Sequence, residues 1–215
     1  FLVFATRQGK VIKIPLVEFS RPRTTGLNAI TLREGDELVD VKVTDGKREL
    51  ITTTKNGRSL RFSEESVRAH NRNVMGVIGM RMRGQDGVKA LTVVEHDYLL
   101  TITDAGYGKL TEFDEFRGHG RGTTGVLNIK TDRAGLGVVA AIAVAKGDEI
   151  LVMSSSGNVM RTRVSEISIQ KRNTRGVRIM NLEEGDRVVG VAIVRPEING
   201  DESTAPPPPS PPTQG

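Results

Sequence analysis

Apolar residues in this chain recur at a period near two, the spacing of half-buried strands rather than of an amphipathic helix. Leu50-Ile51-Thr52-Thr53-Thr54 runs into Asn56-Gly57, a dipeptide that supplies the positive φ angles of a tight hairpin, and then into Leu60 and Phe62 on either side of Arg61. This reads as strand, turn, strand. The layout recurs with Ile12 and Ile14 around Lys13, and with Met160, Thr162 and Val164 around Arg161 and Arg163. Four β-branched runs, Leu38 to Val43, Val88 to Val94, Val138 to Val144 and Val188 to Val194, read as buried strands, and only Ser63 to Arg68 has the look of a helical turn.

The pattern is periodic. Gly9, Gly57, Gly108 and Gly157 are placed at the hairpin turns, 48, 51 and 49 residues apart, and a second series, Gly26, Gly76, Gly125 and Gly176, is spaced by 50, 49 and 51. Leu38, Val88, Val138 and Val188 open the apolar runs at intervals of 50. Four units follow, at approximately 1–46, 47–97, 98–148 and 149–197, with roughly four strands in each. The expected fold is all-β, a propeller-like ring of about four four-stranded blades of some fifty residues, each packed on its neighbours. The third unit fits least well, because Glu112 stands where the others carry a base. The absence of Trp excludes Trp-Asp blades, and the lack of a Gly-Gly doublet argues against kelch blades. Residues 198–215 hold six of the nine prolines, at Pro206 to Pro212, and are expected to form a disordered or polyproline tail.

Charge and composition narrow the partners. Lys and Arg number 31 against 26 Asp and Glu, giving a net charge of +5 and a pI of 9.7, which favours a polyanion. Without cysteine there are no disulfides, thiolate chemistry or common structural zinc sites, as suits a reducing cytoplasm. The longest apolar run, Gly135 to Ala145, falls well short of the roughly 20 residues that span a bilayer. The start at Phe1, without a signal-peptide layout, reads as a fragment of a longer chain.

Ahead of each second-series glycine stands an arginine: Arg72-Asn73-Val74-Met75-Gly76, Arg121-Gly122-Thr123-Thr124-Gly125 and Arg172-Asn173-Thr174-Arg175-Gly176, with a copy one residue shorter at Arg23-Thr24-Thr25-Gly26. Two residues before each arginine stand Arg21, His70, His119 and Gln170. Equivalent positions of a ring lie at equivalent radii, so these residues, with Lys171, are expected to form a basic stripe along one edge. Such a stripe binds duplex DNA through many modest phosphate contacts, with Gly and Thr admitting the backbone closely. Lys10, Arg58 and Lys109 after the hairpin glycines, with Lys13, Arg61 and Arg161 further on, are expected to widen it. A single arginine of this kind is ordinary solvated surface; four in register carry the reading.

Other classes fare worse. His70, His96 and His119 lack metal-ligand spacing, there is no Cys nucleophile, and no Gly-x-x-x-x-Gly-Lys-Ser/Thr loop occurs, so no catalysis and no cofactor are expected here. A propeller-like scaffold docking acidic proteins is the runner-up, weakened by two Tyr, six Phe and no Trp. The same scarcity weighs against single-stranded nucleic acid.

The hairpin ending in Gly-Lys/Arg alternating with Arg-x-x-x-Gly-Val every fifty residues resembles the β-pinwheel blades of the C-terminal domain of the DNA gyrase A protein, most closely at Asp104-Ala105-Gly106-Tyr107-Gly108-Lys109 and at Arg172 to Val177. The resemblance covers all four units and implies a module that wraps DNA around a basic rim so that a type II topoisomerase introduces negative supercoils. The related topoisomerase IV protein is the alternative. The resemblance further implies a catalytic tyrosine upstream of Phe1, and an ATPase B protein that uses ATP and Mg²⁺ and joins the A protein in a heterotetramer. The family's box, Gln-basic-Arg-Gly-Gly-basic-Gly, has its nearest match in Gln170, Lys171, Arg172, Arg175 and Gly176. It departs from the box at Asn173 and Thr174, and reads as a degenerate copy of one expected upstream.

Overall fold

The computed structural model describes residues 1–131 and 137–194. The expected tail, 198–215, lies outside them. In the first unit β1 (Leu2–Thr6) and β2 (Lys10–Ile14) form a hairpin, and β3 (Leu38–Val43) pairs with the other edge of β1. The second unit repeats this with β4 (Glu49–Thr54), β5 (Arg58–Ser63) and β7 (Val88–Val93), and the third with β8 (Tyr98–Thr103), β9 (Tyr107–Glu112) and β11 (Val138–Val144). The fourth has β12 (Glu149–Ser154), β13 (Val159–Arg163) and β15 (Val188–Val194). The four apolar runs are thus the strands β3, β7, β11 and β15, but only β7 and β11 are largely buried; β3 and β15 each lack a neighbouring blade on one side and are exposed or half-buried at most positions.

In the first three sheets the fourth strand comes from the following unit. Two-residue strands β6 (Val77–Ile78), β10 (Val126–Leu127) and β14 (Val177–Arg178) pair with β2, β5 and β9 respectively, giving the orders β3-β1-β2-β6, β10-β5-β4-β7 and β11-β8-β9-β14. The last sheet, β13-β12-β15, has three strands. Each of the first three sheets therefore interlocks with the next unit, which the sequence periods did not anticipate. Single 3₁₀ turns at Leu16–Phe19, Glu64–Ser66, Phe113–Glu115 and Val164–Glu166 follow the hairpins, so the turn expected only near Ser63 recurs in all four units.

Contacts between β3 and β7, β7 and β11, and β11 and β15 set these strands around a common axis, where a cleft of about 410 Å³ lies among them. Apolar side chains fill the spaces between sheets. Val3 and Val11 meet Leu50, Leu60 and Phe62, and Leu100, Ile102 and Leu110 meet Ile150, Val152 and Val164. Because sheets are covered on both sides, β4 and β8 are buried at almost every position instead of alternating. Alternation returns in β13, where Val159 is 60% exposed.

Candidate nucleic-acid interface

The turn glycines place the outer strands. Gly9, Gly57 and Gly106 have φ of 83, 79 and 77°, and each carbonyl accepts two backbone N–H groups of the donated segment, from Gly79 and Met80, Asn128 and Ile129, or Ile179 and Met180. The third turn glycine is Gly106, correcting Gly108, which lies within β9. This shift of two residues places Lys109 level with Ile12, Leu60 and Met160, opposite Thr101, and puts Leu110 rather than Glu112 at the position of Lys13, Arg61 and Arg161. Backbone bonds agree: the N–H groups of His70, His119 and Gln170 donate to the carbonyls of Lys13, Arg61 and Leu110.

The segments that lead into the outer strands run along the edge opposite the axis, and each is tied to its predecessor. Arg72 Nη1 donates to Asn28 O (3.4 Å), Arg121 Nε and Nη1 to Ser66 O (2.9 Å) and Ile78 O (3.1 Å), and Arg172 Nη1 to Leu127 O (3.4 Å). The next residue adds a backbone bond in every case, Asn73 to Ala29, Gly122 to Gly79 and Asn173 to Asn128. These three residues are left-handed, with φ of 63, 82 and 60°. Asn tolerates that conformation, so Asn73 and Asn173 keep the left-handed backbone that Gly122 has in the third unit. The result is one continuous ladder of loops along the rim.

The sixteen expected rim residues separate on this ladder. Arg21, Arg23, His119, Arg121, Lys171 and Arg175 are exposed, and His70, Gln170 and Lys10 are half-buried. Arg72 and Arg172 are half-buried, with their Nε atoms inside, so they act first as clamps between units. Arg58 is turned inward as well: Nε and Nη2 donate to Thr124 O and Gly125 O, and desolvation holds its pKa below the usual value. Arg61 bonds to Phe113 O and Glu49, and the exposed Arg161 pairs with Glu149. Lys13 and Lys109 do not widen the stripe. Lys13 is 6% exposed with Nζ on Glu64 O, and Lys109 is fully buried.

Six exposed bases beside the loops went unnoticed in the sequence: Arg68, Arg81, Arg83, Arg117, Lys130 and Arg178. The period could have found four of them, since Arg68 and Arg117, and likewise Arg81 and Lys130, stand 49 residues apart. Arg81 Nε donates to Gly122 O and Arg83 Nη2 to Thr124 Oγ1, which sets both beside the Arg121 loop. Among the described residues no cluster of His, Asp or Glu is arranged to hold a metal ion, and no helix is long and apolar enough to cross a membrane.

The sequence model of the DNA gyrase C-terminal domain, a beta-propeller, matches residues 1–45, 48–95, 97–145 and 148–195, one match to each unit. The chain belongs to this family. The DNA gyrase A protein of Pseudomonas aeruginosa is 39% identical over 207 residues, covering 96% of this chain and 22% of the relative, and that of Escherichia coli K12 is 43% identical over 200 residues, covering 92% and 23%. The chain therefore spans under a quarter of the length of these gyrase A relatives. A solved DNA gyrase A C-terminal domain superposes with a TM-score of 0.81 at 29% identity, over 89% of this chain and 64% of that one. The C-terminal domain of a DNA topoisomerase IV gives 0.85 at 27%, over 90% and 61%.

Proposed function

We propose that this chain binds duplex DNA along its outer rim and bends it, as a module of a DNA gyrase A protein that serves negative supercoiling. The observation that supports it most is the loop ladder: one architectural edge carries Arg23, Arg68, Arg117, Arg121, Lys130 and Lys171, all exposed, with Arg23 and Arg121 at the same place in their units and Arg68 and Arg117 one period apart. Bases spaced along a rim neutralise successive phosphates without reading sequence. The gyrase A assignment is supported by the family model and by gyrase A relatives at 39% and 43% identity; the solved gyrase A and topoisomerase IV domains, at 29% and 27%, share the fold about equally. In the whole protein the catalytic tyrosine would lie elsewhere in the A protein. ATP and Mg²⁺ would belong to a B protein in a cytoplasmic heterotetramer, as this chain has no phosphate-cradling loop of its own.

The test is binding to mixed-sequence duplexes across salt concentrations. Affinity is expected to be sequence-tolerant and to fall with a logarithmic slope of about −0.9 per phosphate neutralised. A flat response between low and physiological salt would exclude an electrostatic rim.

A further inference from the structure

Lys109 is a lysine at a core position. In the other three hairpins the level is filled by Ile12, Leu60 and Met160, and here a fully buried ammonium takes their place. Its Nζ donates to Asn128 O at 2.8 Å, on the loop of the third unit, and to Lys171 O at 2.7 Å, on the loop of the fourth. The other two junctions of the ladder have an arginine clamp and backbone bonds, with Lys13 Nζ on Glu64 O at the first and Arg58 on Thr124 O and Gly125 O at the second; only Lys109 joins the loops of two successive units through one ammonium. The loop fastened in this way, Gln170 to Arg175, is also the most basic, with Lys171, Arg172 and Arg175 where the second and third units carry a single arginine and the first carries Arg21 and Arg23.

We propose that Lys109 is a positioning residue for DNA binding: its buried ammonium fastens the Gln170–Arg175 loop to the preceding unit and so holds Lys171 on the path of the phosphates. The inference rests on the reading of the rim as a DNA-binding surface. Neither carbonyl depends on Lys109 for satisfaction, since Asn128 O also accepts from the N–H of Asn173 and Lys171 O from Thr174 Oγ1. Solvation of the two carbonyls is therefore not what the lysine adds. It adds a cation that two separate loops share, beneath a surface that itself repels cations.

That placement makes the tie sensitive to pH. Desolvation chiefly, and then the like charge of Arg172, pull the pKa of Lys109 down to about 8 from 10.5, with Glu115 opposing; Thr101 and Asn128, which also face it, are uncharged. The folded chain holds this proton less tightly than the unfolded one. Burying the ammonium therefore disfavours folding by a constant amount below pH 8, and that disadvantage fades as pH rises toward 10.5. The tie itself weakens over the same range, as the ammonium loses its proton. Stability and loop placement thus move in opposite directions with pH, and a lysine that served stability alone would leave DNA affinity unmoved.

The experiment compares the chain with Lys109→Met, the residue found at the same level of the fourth hairpin, by fluorescence anisotropy with a mixed-sequence duplex at low salt from about pH 6.5 to about pH 9.5. The variant is expected to bind roughly three- to tenfold more weakly at the low end of that range. The gap should close as pH rises through about 8, where wild-type Lys109 becomes neutral. Lys109→Leu, which installs the residue type of Leu60 in the second hairpin, supplies a second apolar replacement should Met pack poorly. A gap that is absent, or that stays constant across the range for both variants, would overturn the proposal. Failure of the wild-type chain to bind DNA at any of these pH values would overturn the rim reading, and this inference with it.

Discussion

At Gly57 an added Cβ would stand 2.2 Å from the carbonyl oxygen of Ile129, whereas at Gly157, in the same turn of the fourth unit, it would meet nothing within 4 Å. Both residues are left-handed, with φ of 79 and 89°. Gly157→Ala is expected to cost about 1–2 kcal/mol, from the conformation alone. Gly57→Ala should cost about 2 kcal/mol more, because the donated strand has to move away. Urea unfolding of the two variants measures the difference, and equal losses would show that the strand yields without cost. The same turn in the third unit marks where spacing stops being informative. That unit has glycines two residues apart, and Gly106 fits the period with spacings of 49 and 51 as well as Gly108 does with 51 and 49. Spacing has no way to choose between them. The turn itself does, where Gly106 takes a φ of 77° while Gly108 pairs with Ile102 inside β9. Lys109 was misplaced with its glycine, and a buried cation passed for a surface one.

Strand donation sets what an arginine on the rim can do. The apolar runs that became β3, β7, β11 and β15 were legible because each keeps β-branched residues over six or seven positions. The donated strands were not, because two residues are too few to show any period. Their loops looked like phosphate-binding motifs, and the structure gives the same arginines a prior task in holding neighbouring units together. Arg121 separates the two tasks from its neighbour Arg117, which is exposed and forms no such clamp. Arg121→Ala should lower stability by about 1 kcal/mol through its two lost bonds to backbone carbonyls. Arg117→Ala should stay within about 0.5 kcal/mol. In DNA binding the two should behave alike, each reducing the salt slope by about 0.9 if its side chain meets a phosphate. Thermal unfolding and salt titration of the same pair check this, and equal stability losses would remove the clamp.

On the scale of the whole molecule, contacts run from blade to blade in order, and apolar side chains remain open at both ends of the series: Val43 is 71% exposed on β3, and Val189 53% on β15. The rim is thus an arc of clamped loops, and DNA following it has to curve. Bending a site of 20–30 base pairs by 40–90° costs on the order of 1–6 kcal/mol, which several contacts must jointly offset. A single contact near the middle of the arc then matters more on a long duplex, where it holds the next segment within reach, than on one too short to bend. Replacing Arg68, Arg117 and Lys171 by Ala leaves the clamps of Arg72, Arg121 and Arg172 intact, so the blades keep their arrangement while the path loses charge. Affinity should fall further for duplexes of about 40 base pairs than for those of about 12, since only the longer ones bend along several units. End-to-end distance on the long duplex, read by fluorescence transfer between terminal dyes, should increase before binding is abolished. Equal losses of affinity at both lengths, with an unchanged end-to-end distance, would mean that the arc touches DNA without bending it, and the curvature of the rim would then serve the packing of blades alone.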